Sequence, residues 1–183
     1  MKKEQKASRK AAFSGVICAL SLVCLFLSSL FPFAEYTCPT LAGLLFVALV
    51  VDFGKKYAFA AYGASALLSL FLIPNKEAAV LFVAFFGYYP IVKSIYESLR
   101  SRALEWIFKF ATFNAAVVGA YWILIHALGM TELLSSMSGG YQYGLLVFWI
   151  LGNLTFFIYD LAISRVIAYY IQKLRPKLRR KNV

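Results

Sequence analysis

Six long stretches without a charged residue constrain this chain more than any other feature. They cover 11–34, 36–51, 57–75, 78–92, 110–131 and 133–159. A helix needs about 20 apolar residues, within a range of roughly 17–25, to cross the hydrocarbon of a bilayer. Four stretches reach that length, and the two shorter ones are followed by lysines whose stems can extend to the interface. The pattern predicts six membrane-spanning helices, and a re-entrant segment is the alternative for the second and the fourth.

The composition agrees with a membrane protein rather than a soluble domain. The chain has 183 residues, of which 62% are hydrophobic and only 15% charged. A soluble domain is nearer 45–50% apolar and about 25% charged, and one of this size has too little interior to bury the excess. We therefore predict an all-α membrane protein with a single six-helix domain over residues 1–183. The predicted helices cover about 11–31, 37–53, 57–73, 77–96, 106–129 and 143–172.

The positions of the basic residues predict how the chain is oriented. If the N-terminus lies inside, every one of the 19 lysines and arginines except Lys76 falls on the inner side. Cytoplasmic loops of membrane proteins carry such an excess, so we expect both termini in the cytoplasm. The first apolar stretch is longer than the core of a signal peptide, which favours a retained helix. Because topology and anionic lipid explain the net charge of +11, we expect no nucleic-acid partner.

Small residues recur along the first predicted helix at Ala11, Gly15 and Ala19. A spacing of four residues keeps them on one strip of the helix surface. Small residues let two helices approach closely in lipid, where packing rather than hydrophobicity drives association. The strip therefore predicts a helix contact, and the neighbouring helix belongs either to this chain or to another subunit. The third predicted helix has a similar set at Ala60, Gly63 and Ala64.

The last predicted helix carries polar residues on one face. Placing a carboxylate in the membrane is costly, so this face should point toward other helices or water. We expect Asp160 to pair with a basic residue, with Lys109 and Arg165 as the candidates. For Trp149 and Asn153, interhelical hydrogen bonding and contact with a ligand are both open. The full stripe is Gln142, Trp149, Asn153, Asp160 and Ser164.

The fifth predicted helix and the outer loops add aromatic and polar residues. Asn114 and Tyr121 share one face of that helix, and Trp122 and His126 share an adjacent one. A pocket for a small molecule combines apolar walls with a few placed polar groups. We predict such a pocket in the outer half, for a small, flat, partly polar ligand. The candidate rim residues are Glu35, Tyr36, His126, Glu132, Tyr141, Gln142 and Tyr143.

Motifs for catalysis or metal binding do not occur in the sequence. There is no metal-ligand spacing, no Gly-x-Ser-x-Gly and no glycine-rich phosphate loop. The three cysteines have no such spacing either, and we interpret them as small packing residues. We therefore predict a protein that is not an enzyme and that needs no cofactor.

The predicted layout resembles a known family. Six helices in fewer than 200 residues, both ends inside, and the Ala11-xxx-Gly15-xxx-Ala19 strip are similar to the substrate-binding S component of energy-coupling factor (ECF) vitamin transporters. The resemblance implies that the strip docks on a coupling transmembrane subunit driven by two ATPase subunits, in a bacterial cell membrane. It also implies a vitamin-like ligand in the outer half. The family's layout matches Glu35, Tyr36 and the aromatic positions of the fifth and sixth predicted helices. Together with the faces described above, we predict the binding residues Glu35, Tyr36, Asn114, Tyr121, His126, Trp149 and Asn153.

Two other functions fit the same features. One is a non-catalytic membrane protein with a structural or assembly role, in which the polar stripe only packs helices together. The other is a small ion-coupled transporter, because the chain has no nucleotide-binding sequence and uphill transport needs a partner or an ion gradient. Sequence repeats are lacking, which disfavours an inverted-repeat transporter.

Overall fold

The computed structural model describes residues 2–31, 34–131 and 143–175, with the side chains of 2–6 and 174 left out. Within these ranges all regular structure is helical and no strand occurs, which confirms the all-α prediction. Three short π-helical segments follow directly on α-helices. The α-helices are α1 (Lys2–Leu27), α2 (Thr37–Leu44), α3 (Phe46–Phe53), α4 (Lys55–Leu72), α5 (Lys76–Leu81), α6 (Tyr89–Tyr96), α7 (Arg102–Trp122) and α8 (Gly144–Tyr169), and the π segments are π1 (Phe82–Phe86), π2 (Ile123–Ala127) and π3 (Tyr170–Leu174).

Four helical stretches are long and apolar enough to cross a membrane. Thr37–Phe53, which joins α2 and α3, is a shorter apolar helix of this kind. These lengths and compositions indicate a membrane-embedded protein. The four stretches are Ala7–Leu27, Lys76–Tyr96, Arg102–Ala127 and Gly144–Lys173.

The chain divides into two compact units, Met1–Ser98 and Leu99–Val183. Unit 1 contains α1 to α6, and its centre is the contact between α1 and α4. These two helices run parallel, because Cys18 of α1 donates to the carbonyl of Ala61 and Ser21 lies 3.3 Å from Ser65. The buried positions of α4 include only small side chains, so the two backbones come close. They are Ala58, Ala61, Ser65, Ala66 and Ser69.

A second close contact in unit 1 joins α2 to π1. The nearest backbone to Gly43 is that of Phe86, whose carbonyl would overlap a β-carbon at this glycine. A β-carbon at Gly87, directly after π1, would lie 2.7 Å from the ring of Tyr62 and overlap it. The Tyr62 hydroxyl donates to the carbonyl of Val83 and fastens α4 to π1. Glycine is needed at both positions because no other residue leaves this space empty.

Unit 2 is an antiparallel pair of helices, α7 and α8. Trp106 near the start of α7 stacks on Phe157 in the second half of α8, with ring centroids 5.2 Å apart. Tyr121 at the end of α7 meets Phe148 near the start of α8 at 6.0 Å. Between them the rings of Phe113 and Phe156 stack at 4.6 Å. The aromatic side chains thus set the register of the pair along its length.

Several predicted helix bounds differ from the structure. α1 begins at Lys2 rather than near residue 11, and it ends at Leu27 rather than at 31. α7 begins at Arg102 rather than near residue 106. The predicted helix over 77–96 is interrupted by π1 and a turn, and Pro90 lies at the start of α6, where its missing N–H costs nothing. The length of an apolar stretch locates a helix only roughly and does not indicate such local breaks.

Candidate functional site

The most complete polar arrangement in unit 2 links the middle of α7 to the first half of α8. Asn114 and Asn153 pair through their amides in both directions, with N···O distances of 2.9 and 3.2 Å. The indole N–H of Trp149 donates to the same Asn114 oxygen at 2.6 Å. The second donor of each amide goes to the backbone one turn earlier, to Phe110 and to Trp149. Every N–H of these three side chains therefore has an acceptor within unit 2.

This amide–indole network (Asn114, Trp149, Asn153) brings together three of the predicted ligand residues. The two asparagines are half-buried, whereas Trp149 is 56% exposed. A polar ligand that used these donors would have to replace hydrogen bonds that already exist. The network therefore joins two helices in an apolar environment, which is one of the two interpretations left open for Trp149 and Asn153.

A buried ion cluster lies further toward the start of α7. The ammonium of Lys109 contacts Glu105 at 2.7 Å and Asp160 at 3.0 Å. Lys109 and Asp160 are each 2% exposed, and the lysine ammonium also lies 5.0 Å from the centre of the Trp106 ring. Lys109 and Arg165 were the two expected partners of Asp160, and Lys109 is the one that forms the ion pair. A buried charge is tolerated because its partner and hydrogen bonds replace the lost water.

Two further predicted residues, Tyr121 and His126, lie apart from the network along α7 and π2. Tyr121 is buried against Phe148. His126 is exposed, stacks on Trp122 at 5.2 Å, and its Nδ1 lies 3.1 Å from the Trp122 carbonyl. An exposed tryptophan at a helix end, such as Trp122, is typical of a membrane–water interface.

The remaining predicted rim residues in unit 1 belong to a polar cluster where α1 and α4 end. Glu35 accepts from the side-chain amide of Asn75 at 3.4 Å, and Tyr36 donates to Glu77 at 3.0 Å. The backbone N–H of Asn75 donates to the hydroxyl of Ser29, which joins the ends of α1 and α4. Of the other rim residues, Tyr143 is exposed, while Glu132, Tyr141 and Gln142 lie outside the described residues.

Sequence reasoning missed two members of this cluster, Asn75 and Glu77. Asn75 caps α5, since its side chain accepts from the N–H of Ala78 at 3.0 Å. Asparagine just before a helix is a known start signal, so the Asn75 cap was available from the sequence. Glu77 is only 6% exposed, and no sequence pattern indicated that it is buried beside Tyr36.

The predicted small-residue strip lies on the exposed side of α1. Ala11, Gly15 and Ala19 are all exposed, and a β-carbon placed on Gly15 would meet no atom within 4 Å. Among the described side chains of α1, by contrast, Ile17, Ser21 and Leu25 are buried. The chain therefore packs α1 through a different face and leaves the strip accessible.

No family model, curated protein or solved structure matches this chain. In the described residues, histidine, cysteine, aspartate and glutamate do not form a group of three that could hold a metal ion.

Proposed function

We propose that this chain is a non-catalytic membrane subunit that docks through α1 on a partner membrane protein. In its more specific form it is the substrate-binding subunit of an ECF-type importer, in the membrane of a bacterial cell, with a coupling transmembrane subunit and two ATPases as partners. The observation that carries the proposal is the exposed strip of Ala11, Gly15 and Ala19. A strip of small residues along a helix allows a partner helix to approach closely in lipid.

The membrane topology of this subunit has six crossings with both termini in the cytoplasm. The basic asymmetry supports it, since Lys76 alone falls on the outer side. The parallel course of α1 and α4, with one helical return through α2 and α3, is compatible with it. Cysteines introduced at Ser98 and Ser138 distinguish the two sides in intact cells. An impermeant reagent should label Ser138→Cys and not Ser98→Cys, and the reverse result would exclude this topology.

Docking is tested with Gly15→Leu in the full chain. The leucine should hold a partner helix away, and recovery of co-purifying membrane subunits should fall by about tenfold, equivalent to ~1.4 kcal/mol. Gly119→Leu is the matched control, because Gly119 is another helical glycine with nothing within 4 Å of a β-carbon. Equal recovery with Gly15→Leu and wild type would exclude docking through the strip.

A structural or assembly role without a ligand is the second candidate. The amide–indole network favours it, because all its N–H donors are bonded within unit 2. The purified protein separates the two functions in a thermal-shift screen against vitamins. A ligand-dependent rise in melting temperature supports the importer subunit, whereas docking without any ligand response supports the assembly role.

A further inference from the structure

Two of the three cysteines lie where α1 ends and α2 begins. Cys24 is in the last turn of α1, and Cys38 is in the first turn of α2. Both are free thiols in this structure, and Cys24 is half-buried whereas Cys38 is buried. Cys18 differs from them, because its thiol donates to the carbonyl of Ala61 in α4. Cys18 therefore has a packing role, whereas the position of the other two cysteines allows a second one.

Hydrogen bonds to Asn75 show that Cys24 and Cys38 lie at nearly the same level along the helices. The backbone N–H of Asn75 donates to Ser29 and its side chain donates to Glu35, so the end of α1 and the start of α2 meet there. Cys24 precedes Ser29 by five residues, and Cys38 follows Glu35 by three. A rise of 1.5 Å per residue makes these offsets about 7.5 and 4.5 Å, so the two levels differ by only about 3 Å.

Both cysteines also face the contact between α1 and α2, which pack against each other. Cys24 packs against the buried core that contains Leu25 of α1 and Ala42 of α2. Cys38 and Ala42 are both buried, and their spacing of four residues puts them on one face of α2. An electrostatic interaction joins the thiols of Cys24 and Cys38, and such an interaction decays with distance. The two thiols are therefore neighbours across the α1–α2 contact.

We propose that Cys24 and Cys38 form a disulfide that ties the end of α1 to the start of α2. The cellular location of this bond rests on the proposed topology, which puts these helix ends outside the cytoplasm, where disulfides persist. The bond closes a loop that contains Glu35 and Tyr36, and it restricts the movement of both rim residues. Cys18 stays a thiol, which accounts for the odd number of cysteines.

The oxidant is an external disulfide such as oxidised glutathione, and the exchange takes two steps. The more exposed Cys24 attacks one sulfur of the oxidant as a thiolate, which forms a mixed disulfide and releases one thiol. The Cys38 thiolate then attacks the Cys24 sulfur, which forms the protein disulfide and releases a second thiol. The two protons of the cysteines end on the released thiols, and the two electrons reduce the oxidant.

The test treats the detergent-purified full chain with oxidised glutathione and maps the disulfide by mass spectrometry after chymotrypsin digestion. Wild type should lose the mass of two hydrogen atoms and yield a peptide pair linked through Cys24 and Cys38, which a reducing agent should separate. Cys18→Ala is the matched control and should form the same bond. Cys24→Ser and Cys38→Ser should each lose the intramolecular bond. The wild-type map decides the pairing even where a variant does not fold: a bond to Cys18, or no intramolecular bond, would overturn the proposal.

Intact cells test the location of the bond separately from the pairing. Oxidised glutathione is added outside, and free thiols are then alkylated with maleimide before lysis. Wild type should carry the Cys24–Cys38 bond and an alkylated Cys18. A bond that forms in detergent but not in intact cells would keep the pairing and exclude the proposed topology. A bond that forms in neither would exclude the pairing itself.

Discussion

In unit 1 helices approach each other through small side chains, whereas in unit 2 a pair of helices is joined by an ion cluster and an amide–indole network. The α1–α4 contact uses Ser21 and Ser65, and the α2–π1 contact depends on Gly43. The α7–α8 contact uses Lys109 with Asp160, and Asn114 with Asn153. Both solutions satisfy the same requirement, because lipid offers no hydrophobic gain for helix association.

The difference predicts how each unit responds to substitution. Close packing of backbones is sensitive to any added atom, since interiors have few voids and resist compression. Polar linkage is sensitive to the loss of one partner, which leaves a buried charge or amide without compensation. Unit 1 should therefore be damaged most by small-to-large changes, and unit 2 most by the removal of single polar groups.

The largest effect is expected from Lys109→Met in unit 2. It leaves Asp160 and Glu105 without the ammonium that both contact, and breaking a buried pair typically costs about 3–5 kcal/mol. The free energy of unfolding in mixed detergent micelles measures the loss. Lys109→Met/Asp160→Leu should recover much of it, since an apolar replacement of both partners is often neutral. Stability equal to wild type in the single variant would show that the cluster contributes nothing.

A smaller effect is expected from Gly43→Ala in unit 1. The added β-carbon would overlap the Phe86 carbonyl oxygen and lie 2.8 Å from its carbon. These are backbone atoms that cannot rotate away, and overpacking typically costs about 1–3 kcal/mol. Gly63→Ala is the matched control in the same unit, because nothing lies within 4 Å of a β-carbon there. The same unfolding assay checks both variants, and an equal response would contradict the close α2–π1 contact.

Much of this architecture could be predicted from the sequence, and the exceptions have physical reasons. Apolar length located the helices, and the 100° step per residue put Trp149, Asn153 and Asp160 on one face of α8. Helical periodicity identifies a face but not the helix opposite it, so the reciprocal bonding with Asn114 and the choice of Lys109 over Arg165 required the structure.

Other features depend on local packing that a single sequence does not reveal. The π segments and the break at Leu45 between α2 and α3 change neither composition nor apolar length. Gly43 is indistinguishable in the sequence from Gly15, yet one touches a backbone and the other faces open space. The burial of Glu77 likewise follows from its tertiary neighbours and not from its position after Asn75.

Substitutions in the amide–indole network should have the smallest effect on stability, and they test most directly whether the network binds a ligand. Hydrogen bonds between membrane helices contribute about 0.6 kcal/mol on average, and at most about 1.7. Trp149→Phe removes one such bond to Asn114 and keeps the aromatic ring, so the free energy of unfolding should fall by about that average. Asn153→Leu removes the reciprocal pair and should cost more, because it leaves one N–H of the half-buried Asn114 without its acceptor. Unfolding in mixed micelles measures both variants.

A ligand found in the thermal-shift screen allows its affinity for each variant to be compared with its affinity for wild type. If the network is only structural, the folded fraction of each variant should bind that ligand with wild-type affinity. If these side chains form the binding site, Asn153→Leu should abolish binding even where the protein remains folded, and Trp149→Phe should weaken it less because the ring is still available for stacking.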